Sequence, residues 1–420
     1  MCNSCYKIVC LRCGREVPER FAVSLVCPYC ELEGVHATLS LERISEPQKL
    51  TRVATETGIW QWAEYLPVDQ SYRVSLGEGN TPLLQAKRLG QDIGVPELWL
   101  KDESSNPTWS YKDRLAAVGV SRALEVGAKS VCVASTGNHG AAVAAYAARA
   151  GMPCFVVTID SIPSTMKVLI QAYGAAVMTV KRHEDRWPVM RLLVEKFGSF
   201  PLSSMTDPPA GSNPYAVEGY RTIAYEIAES FGDAPDWIAM PTCYADGLWG
   251  VAKGLADLSA AGHAASRTRM IAAEVAGSLQ SSISSGSPDP VVVPVSASPA
   301  FSINTPRSTH QGLEALRRTN GIAVATEGDD LIGWQSRLAV SEGIFVEAAA
   351  VVGLPAVARL RRKGHIRPND RVVVVLTSSG LKDPAVIGVG LPPIPAIEPN
   401  QESLVSIAKE VYGLNLVEMG

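Results

Sequence analysis

The chain has 420 residues, 46% apolar and 19% charged, with a formal net charge of −4. That length supports two substantial lobes, and the weak negative balance offers no field for nucleic acid or anionic lipid, so neither is expected as a partner. No apolar run is of membrane-spanning length and Met1–Lys7 has no signal-like apolar region, so the expected location is the cytoplasm.

Of nine cysteines, six fall in the first thirty residues. Cys10-x-x-Cys13-Gly14 and Cys27-x-x-Cys30 are two knuckles thirteen residues apart. This spacing predicts a tetrahedral four-thiolate zinc ribbon over residues 1–40. Four protein ligands leave no open position, so the zinc is read as structural. Cys2-x-x-Cys5 is a competing pair at the terminus and is read as spare. Cys132, Cys154 and Cys243 sit in apolar strand settings, where a thiol acts as a small hydrophobe.

Residues 43–75 read as a polar connection carrying Trp60, Trp62 and Tyr65 over the core edge. Gly77-Glu-Gly-Asn-Thr-Pro82 marks a turn, and Glu97–Lys101 a strand leading into the loop Asn106–Arg114. Lys112 stands where that loop becomes an apolar, helix-patterned run. A strand over Ser130–Ala134 then ends in Ser135-Thr-Gly-Asn-His-Gly140, whose backbone amides open an Ala-rich helix over 139–150. Most lysines are solvated surface charges. A buried lysine beside an anion-binding loop is what Schiff-base chemistry requires.

From there apolar strands alternate with helices. Strands are predicted at 154–158, 175–180, 237–241, 269–274 and 371–377, with a helix over 164–173. The pattern implies an α/β fold with open parallel sheets covered on both faces. The expected division is a two-lobed body over 41–400, its smaller lobe about 115–200, and a C-terminal helix or tail over 401–420. The Ser- and Pro-rich stretch 280–308 reads as a loop of the larger lobe. Ligands in such sheets bind beyond the carboxyl ends of the strands. The loops Ser135–Gly140, Thr242–Gly247 and Thr377–Gly380 are therefore expected to surround one crevice with Lys112.

Several stretches together resemble the threonine synthase family of fold type II pyridoxal-phosphate enzymes, whose fold is like that of the tryptophan synthase β chain. They are Gly77–Pro82, Lys101–Arg114, Ala134-Ser-Thr-Gly-Asn138, Asn213-Pro-Tyr-x-x-Glu-Gly219, Glu342-Gly-Ile-Phe-Val-Glu347 and Leu376-Thr-x-x-Gly-Leu-Lys-Asp-Pro384. The resemblance implies pyridoxal phosphate as cofactor, Lys112 as Schiff-base lysine and general base, and Asn138 against the cofactor's phenolic oxygen. It places Thr377 at the pyridine nitrogen and Thr242, Cys243, Tyr244, Ala245 and Asp246 around the cofactor phosphate. Ser135, Thr136 and His139 would meet the substrate. The implied reaction is α-proton abstraction and elimination on a small amino acid, as in conversion of phosphohomoserine to threonine and phosphate. A homodimer is the expected assembly.

The sequence departs from that family at the places that select the substrate. Ala216 stands where an arginine commonly clamps the substrate phosphate, and Arg221, one turn on, is the candidate substitute. Asn138-His-Gly140 is similar to the dehydratases and diaminopropionate ammonia-lyases, which favours β-elimination, or a β-replacement, on a serine-, threonine- or diaminopropionate-like substrate. Trp109 replaces a usual glycine and is expected to crowd the pocket. Cys243-Tyr-Ala245 fills a loop that is glycine-rich in the group. A non-catalytic protein of the same fold, or a zinc-ribbon binding module, is the reading of another class.

Overall fold

The computed structural model describes residues 6–44, 49–392 and 394–419. Cys2 and Cys5 lie outside the described residues.

In chain order the strands are β1 Tyr6–Cys10, β2 Glu16–Val17, β3 Leu39–Arg43, β4 Leu83–Gln85, β5 Leu98–Asp102, β6 Val131–Ala134 and β7 Cys154–Ile159. They continue with β8 Ala176–Val180, β9 Phe200–Pro201, β10 Trp237–Pro241, β11 Arg269–Glu274, β12 Ile322–Ala325 and β13 Val372–Leu376. The larger sheet has the order β12-β11-β10-β13-β5-β4, parallel except for the edge strand β4. The smaller sheet, β8-β7-β6-β9, is parallel throughout. β13 reads Val-Val-Val-Val-Leu and is buried at every residue, as a central strand covered on both faces must be. It pairs Val374 with Leu100 on one side and Ala239 on the other, so the carboxyl ends of β5, β10 and β13 lie side by side.

The helix Lys112–Glu125 has a sequence buried almost all round, Asp113 through Ala123. It packs against the helix Asn138–Arg149 and the Pro214–Val217 turn. Arg114, fully buried, ties its first turn to the larger sheet through Glu103 at the end of β5 and through Glu226, which also takes Lys101. The stretch 43–75 differs from expectation. Gly58–Tyr65 is a 3₁₀ helix whose Trp60, Trp62 and Tyr65 are 2–4% exposed and belong to the main core. The aromatics are drawn in rather than laid over an edge because Tyr225 packs against both Trp62 and Tyr65.

β1–β3 form a three-stranded sheet, order β2-β1-β3, carrying the four-cysteine cluster. Lys253 donates to the Leu41 carbonyl at 2.6 Å and Trp249 Nε1 to Ser40 Oγ at 2.9 Å, docking β3 on the helix Asp246–Ala260. Residues Pro384–Gly420 form a second unit. It holds the helices Pro384–Gly388, Gln401–Tyr412 and Leu416–Met419, the second capped by the Asn400 side chain. Among the described residues no helix is long and apolar enough to cross a membrane.

Candidate active site

Beyond the strand ends lies a cleft of about 670 Å³. Lys112, the loop Ser135–His139, the loop Cys243–Leu248, Thr377 and Glu347 all line it. Lys112 is the first residue of its helix. Its Nζ sits 4.9 Å from the Tyr111 ring centroid and 5.7 Å from that of Tyr220, and the two rings stack at 4.9 Å. Burial pushes the Lys112 ammonium down, but the neighbouring Tyr111 and Asp246 outweigh it and the net shift is upward.

Asn138 is held from two sides. Its Nδ2 donates to Glu347 Oε1 at 2.8 Å, and its Oδ1 accepts from Lys382 Nζ at 2.7 Å and Ser378 Oγ at 3.2 Å. Burial raises the Glu347 carboxyl to about 7, against the lowering effect of Lys382, and pushes Lys382 down. Neither residue was assigned a role by sequence reasoning. Both stand inside the stretches quoted above, and that is the signal that could have found them.

The Ser135 hydroxyl accepts from the amides of Gly137 at 3.1 Å and Gly140 at 2.9 Å. Ser135 therefore shapes the loop. The amides of Thr136, Asn138 and His139 have no acceptor among the described residues and line the cleft at the helix N-terminus. His139 is 9% exposed and its Nε2 has no partner; burial, then the Lys112 charge, lowers its pKa well below the ordinary value, so the ring is neutral.

The loop after β10, hereafter the cup, presents free backbone amides at its helix start despite its side chains. Ser308 Oγ donates to the Cys243 carbonyl at 2.7 Å, while Thr309 Oγ1 and Gln311 Nε2 donate to that of Tyr244, both at 2.6 Å. With those carbonyls turned away, the amides of Asp246, Gly247 and Leu248 open the helix Asp246–Ala260 with no acceptor among the described residues. Ala245 holds φ +64°, so the turn glycine of such loops is replaced at a strained position. Glycine is kept at 247, where a Cβ would meet Tyr111 Cε2 at 2.7 Å. Asp246 braces the base, accepting from Ser212 N at 3.0 Å and Ser212 Oγ at 2.7 Å.

Four expectations are corrected. Arg221 does not reach the cleft: it is 3% exposed and paired to Glu218 at 2.5 Å and Asp257 at 2.6 Å. Thr242 does not line it either, because its hydroxyl turns back to the Met240 carbonyl at 2.9 Å. Ala216 is fully buried against Gly119 and does not line the cleft, so position 216 offers the substrate no contact in this chain. Trp109 does not crowd the pocket. Its backbone takes φ +59°, which explains the usual glycine, and its side chain is 47% exposed outside the cleft.

In the ribbon, the four sulfurs of Cys10, Cys13, Cys27 and Cys30 lie within 4.8 Å of one another, with Cys10–Cys30 at 3.7 Å and Cys13–Cys27 at 3.8 Å. A tetrahedron with Zn–S bonds of about 2.3 Å has edges of about 3.8 Å. The amides of Arg12 and Cys13 each donate to Cys10 Sγ at 3.4 Å, so the donor set suits a thiolate-bound metal.

Residues 74–378 match the family model described as pyridoxal-phosphate dependent enzyme. The chain is 33% identical over 417 residues to a threonine synthase of Methanocaldococcus jannaschii, covering 96% of this chain and 99% of that one. It is 37% identical over 331 residues to a threonine synthase of Synechocystis, covering 76% and 81%. A threonine deaminase isoform of Solanum lycopersicum superposes with a TM-score of 0.63 at 20% identity, covering 83% of this chain and 94% of the other. That likeness extends to the fold: two open parallel sheets of the fold type II kind.

Proposed function

The chain belongs to the threonine synthase family of pyridoxal-phosphate dependent enzymes, and from that premise we propose that the cleft at Lys112 carries out α-proton abstraction and elimination on a small amino acid, releasing phosphate from phosphohomoserine and adding one water to yield threonine. The observation that carries this reading is the meeting of Lys112, Asn138, Thr377 and the free amides of residues 246–248 on one cleft. The donor set suits the cofactor: amides for its phosphate, the Asn138 amide for its phenolic oxygen, the neutral Thr377 hydroxyl for its pyridine nitrogen, and the Lys112 amine for its carbonyl carbon. When bound, pyridoxal phosphate supplies the electron sink that makes an amino acid's α-proton acidic.

The protein's own groups then divide the remaining work. The amides of Thr136, Asn138 and His139 receive the α-carboxylate. Lys112 Nζ, seated over the stacked Tyr111 and Tyr220 rings, takes the α-proton and returns it. The neutral Thr377 hydroxyl, unlike a carboxylate, would not hold the cofactor's pyridine nitrogen protonated, chemistry that would favour elimination over transamination. The orphaned Nε2 of His139 supports a second reading, β-elimination from a serine-, threonine- or diaminopropionate-like substrate, because it leaves a ring nitrogen on the cleft free to hydrogen-bond such a substrate's leaving group.

The test is optical and chemical. Protein supplied with pyridoxal phosphate should show a visible band that borohydride removes, with the adduct mapping to Lys112, and Lys112→Ala should show neither. Colourless protein that takes up no cofactor would sink the reading. Incubation with phosphohomoserine, serine, threonine and diaminopropionate separates the two substrates: phosphate and threonine from the first alone selects the first reading. We assign a structural zinc to Cys10, Cys13, Cys27 and Cys30, and the same reading includes a cytoplasmic homodimer, whose assembly sedimentation would measure.

A further inference from the structure

Arg186 plays no part in the chemistry above, and its surroundings are unusual for a guanidinium. It opens the helix Arg186–Phe197, is 3% exposed, and lines the same cleft as Lys112. Its Nε donates to the His183 carbonyl at 3.0 Å and a terminal nitrogen donates to His183 Nε2. Among the described residues it forms no ion pair. The other buried arginines are all paired: Arg114 with Glu103 and Glu226, Arg122 with Glu19 and Glu125, Arg221 with Glu218 and Asp257. The groups of the cup that face Arg186 are the Cys243 thiol and the Tyr244 phenol, and burial raises both, the thiol to about 12. It therefore faces neutral partners. A buried cation without a counter-ion is costly, and a ligand anion is what relieves the cost.

Three anionic groups can enter such a cleft: the cofactor's phosphate, the substrate's α-carboxylate and a charged group on the substrate's side chain. The first two already have receptors in the free amides of residues 246–248 and of Thr136, Asn138 and His139. We propose that Arg186 binds the third, an oxyanion such as a phosphate or a group of like size and charge, carried on the substrate's side chain away from its α-carboxylate. This rests on the proposed function and sharpens it: the substrate class becomes amino acids with an anionic side-chain ester, selected from the small lobe rather than from position 216. The planar guanidinium fork is suited to donating two parallel hydrogen bonds to such a group.

The experiment compares wild type and Arg186→Gln, both loaded with cofactor, using phosphohomoserine, inorganic phosphate and homoserine as probes. Expected in the variant are a KM for phosphohomoserine and an inhibition constant for phosphate raised at least about thirty-fold. The visible band, cofactor affinity and homoserine binding should be unchanged. Arg186→Lys, which keeps the charge without the fork, should show a smaller loss. Unchanged phosphohomoserine and phosphate affinities would overturn the proposal, as would a loss of cofactor affinity, which would give Arg186 to the cofactor phosphate instead. If Arg186→Gln does not fold, protection of Arg186 in wild type from phenylglyoxal by inorganic phosphate decides the matter, and absent protection overturns it. Failure of wild type to form the visible band would refute the parent reading, while phosphate protection of Arg186 would still test this one.

Discussion

Glu347 shows how one buried group sets a pH dependence. Its carboxyl titrates at about 7 against an ordinary 4.5, because burial disfavours the charge more than Lys382 and the Asn138 amide restore it. The folded chain thus holds a proton that the unfolded chain releases. Its contribution to stability is full below about pH 4.5 and is lost as pH rises through about 7. Glu347→Gln keeps an acceptor for Asn138 and should flatten the fall in Tm across that window, measured by calorimetry at several pH values. An unaltered slope would exclude Glu347 as its source. Gly247 is the other single residue with a sharp expectation. An alanine there meets the stacked Tyr111 ring, and overpacking of this kind costs about 1–3 kcal/mol, so Gly247→Ala should lose cofactor on dialysis faster than wild type. Lys112 stood out in the sequence because it sits at a loop-to-helix boundary in the company of the amide-rich loop Ser135–Gly140. Glu347 and Lys382 did not, because their role exists only where they meet Asn138, more than two hundred residues away.

At the scale of elements, the alternation of apolar strands and helices was legible from side-chain periodicity, since both faces of β13 are buried and its sequence is apolar at every position. The two knuckles of the ribbon were equally plain from spacing. Cys27→Ser should lower zinc content below one ion per chain and lower Tm, and an undiminished metal content would refute the ligand assignment. What the spacing could not tell was that the ribbon docks on the cup helix through Lys253 and Trp249. Nor could it show the Arg12–Asp289–His310 bridge, which ties the ribbon to the segment bracing the cup. The cup itself looked spoiled by Cys243, Tyr244 and Ala245. Its amides stay free because side chains from 308–311 hold the carbonyls outward.

For the whole molecule, the buried charges divide by task. Arg221, Glu218, Asp257 and Lys253 form a cluster beneath the cup helix, away from the cleft. Arg221→Ala should cost about 3–5 kcal/mol in denaturant unfolding, because it leaves the buried Asp257 carboxylate without its ion-pair partner, while leaving the KM of the folded enzyme unchanged. A raised KM with unchanged stability would return Arg221 to the substrate. Arg186, alone among the buried arginines in lacking a described ion-pair partner, belongs to the other task.

By itself the sequence determined the alternation that makes two parallel sheets, the lysine at the mouth of its helix, the thiolate set and the family resemblance. Each of these is written in local spacing and residue type. Only the tertiary structure decided which charges are satisfied within the protein and which face the cleft. Arg221 and Arg186 are the same side chain with similar burial, and the difference lies in whether Glu218 and Asp257, or a neutral thiol and phenol, fold up against it. Those partners come from distant parts of the chain, so the selection of substrate is a property of packing.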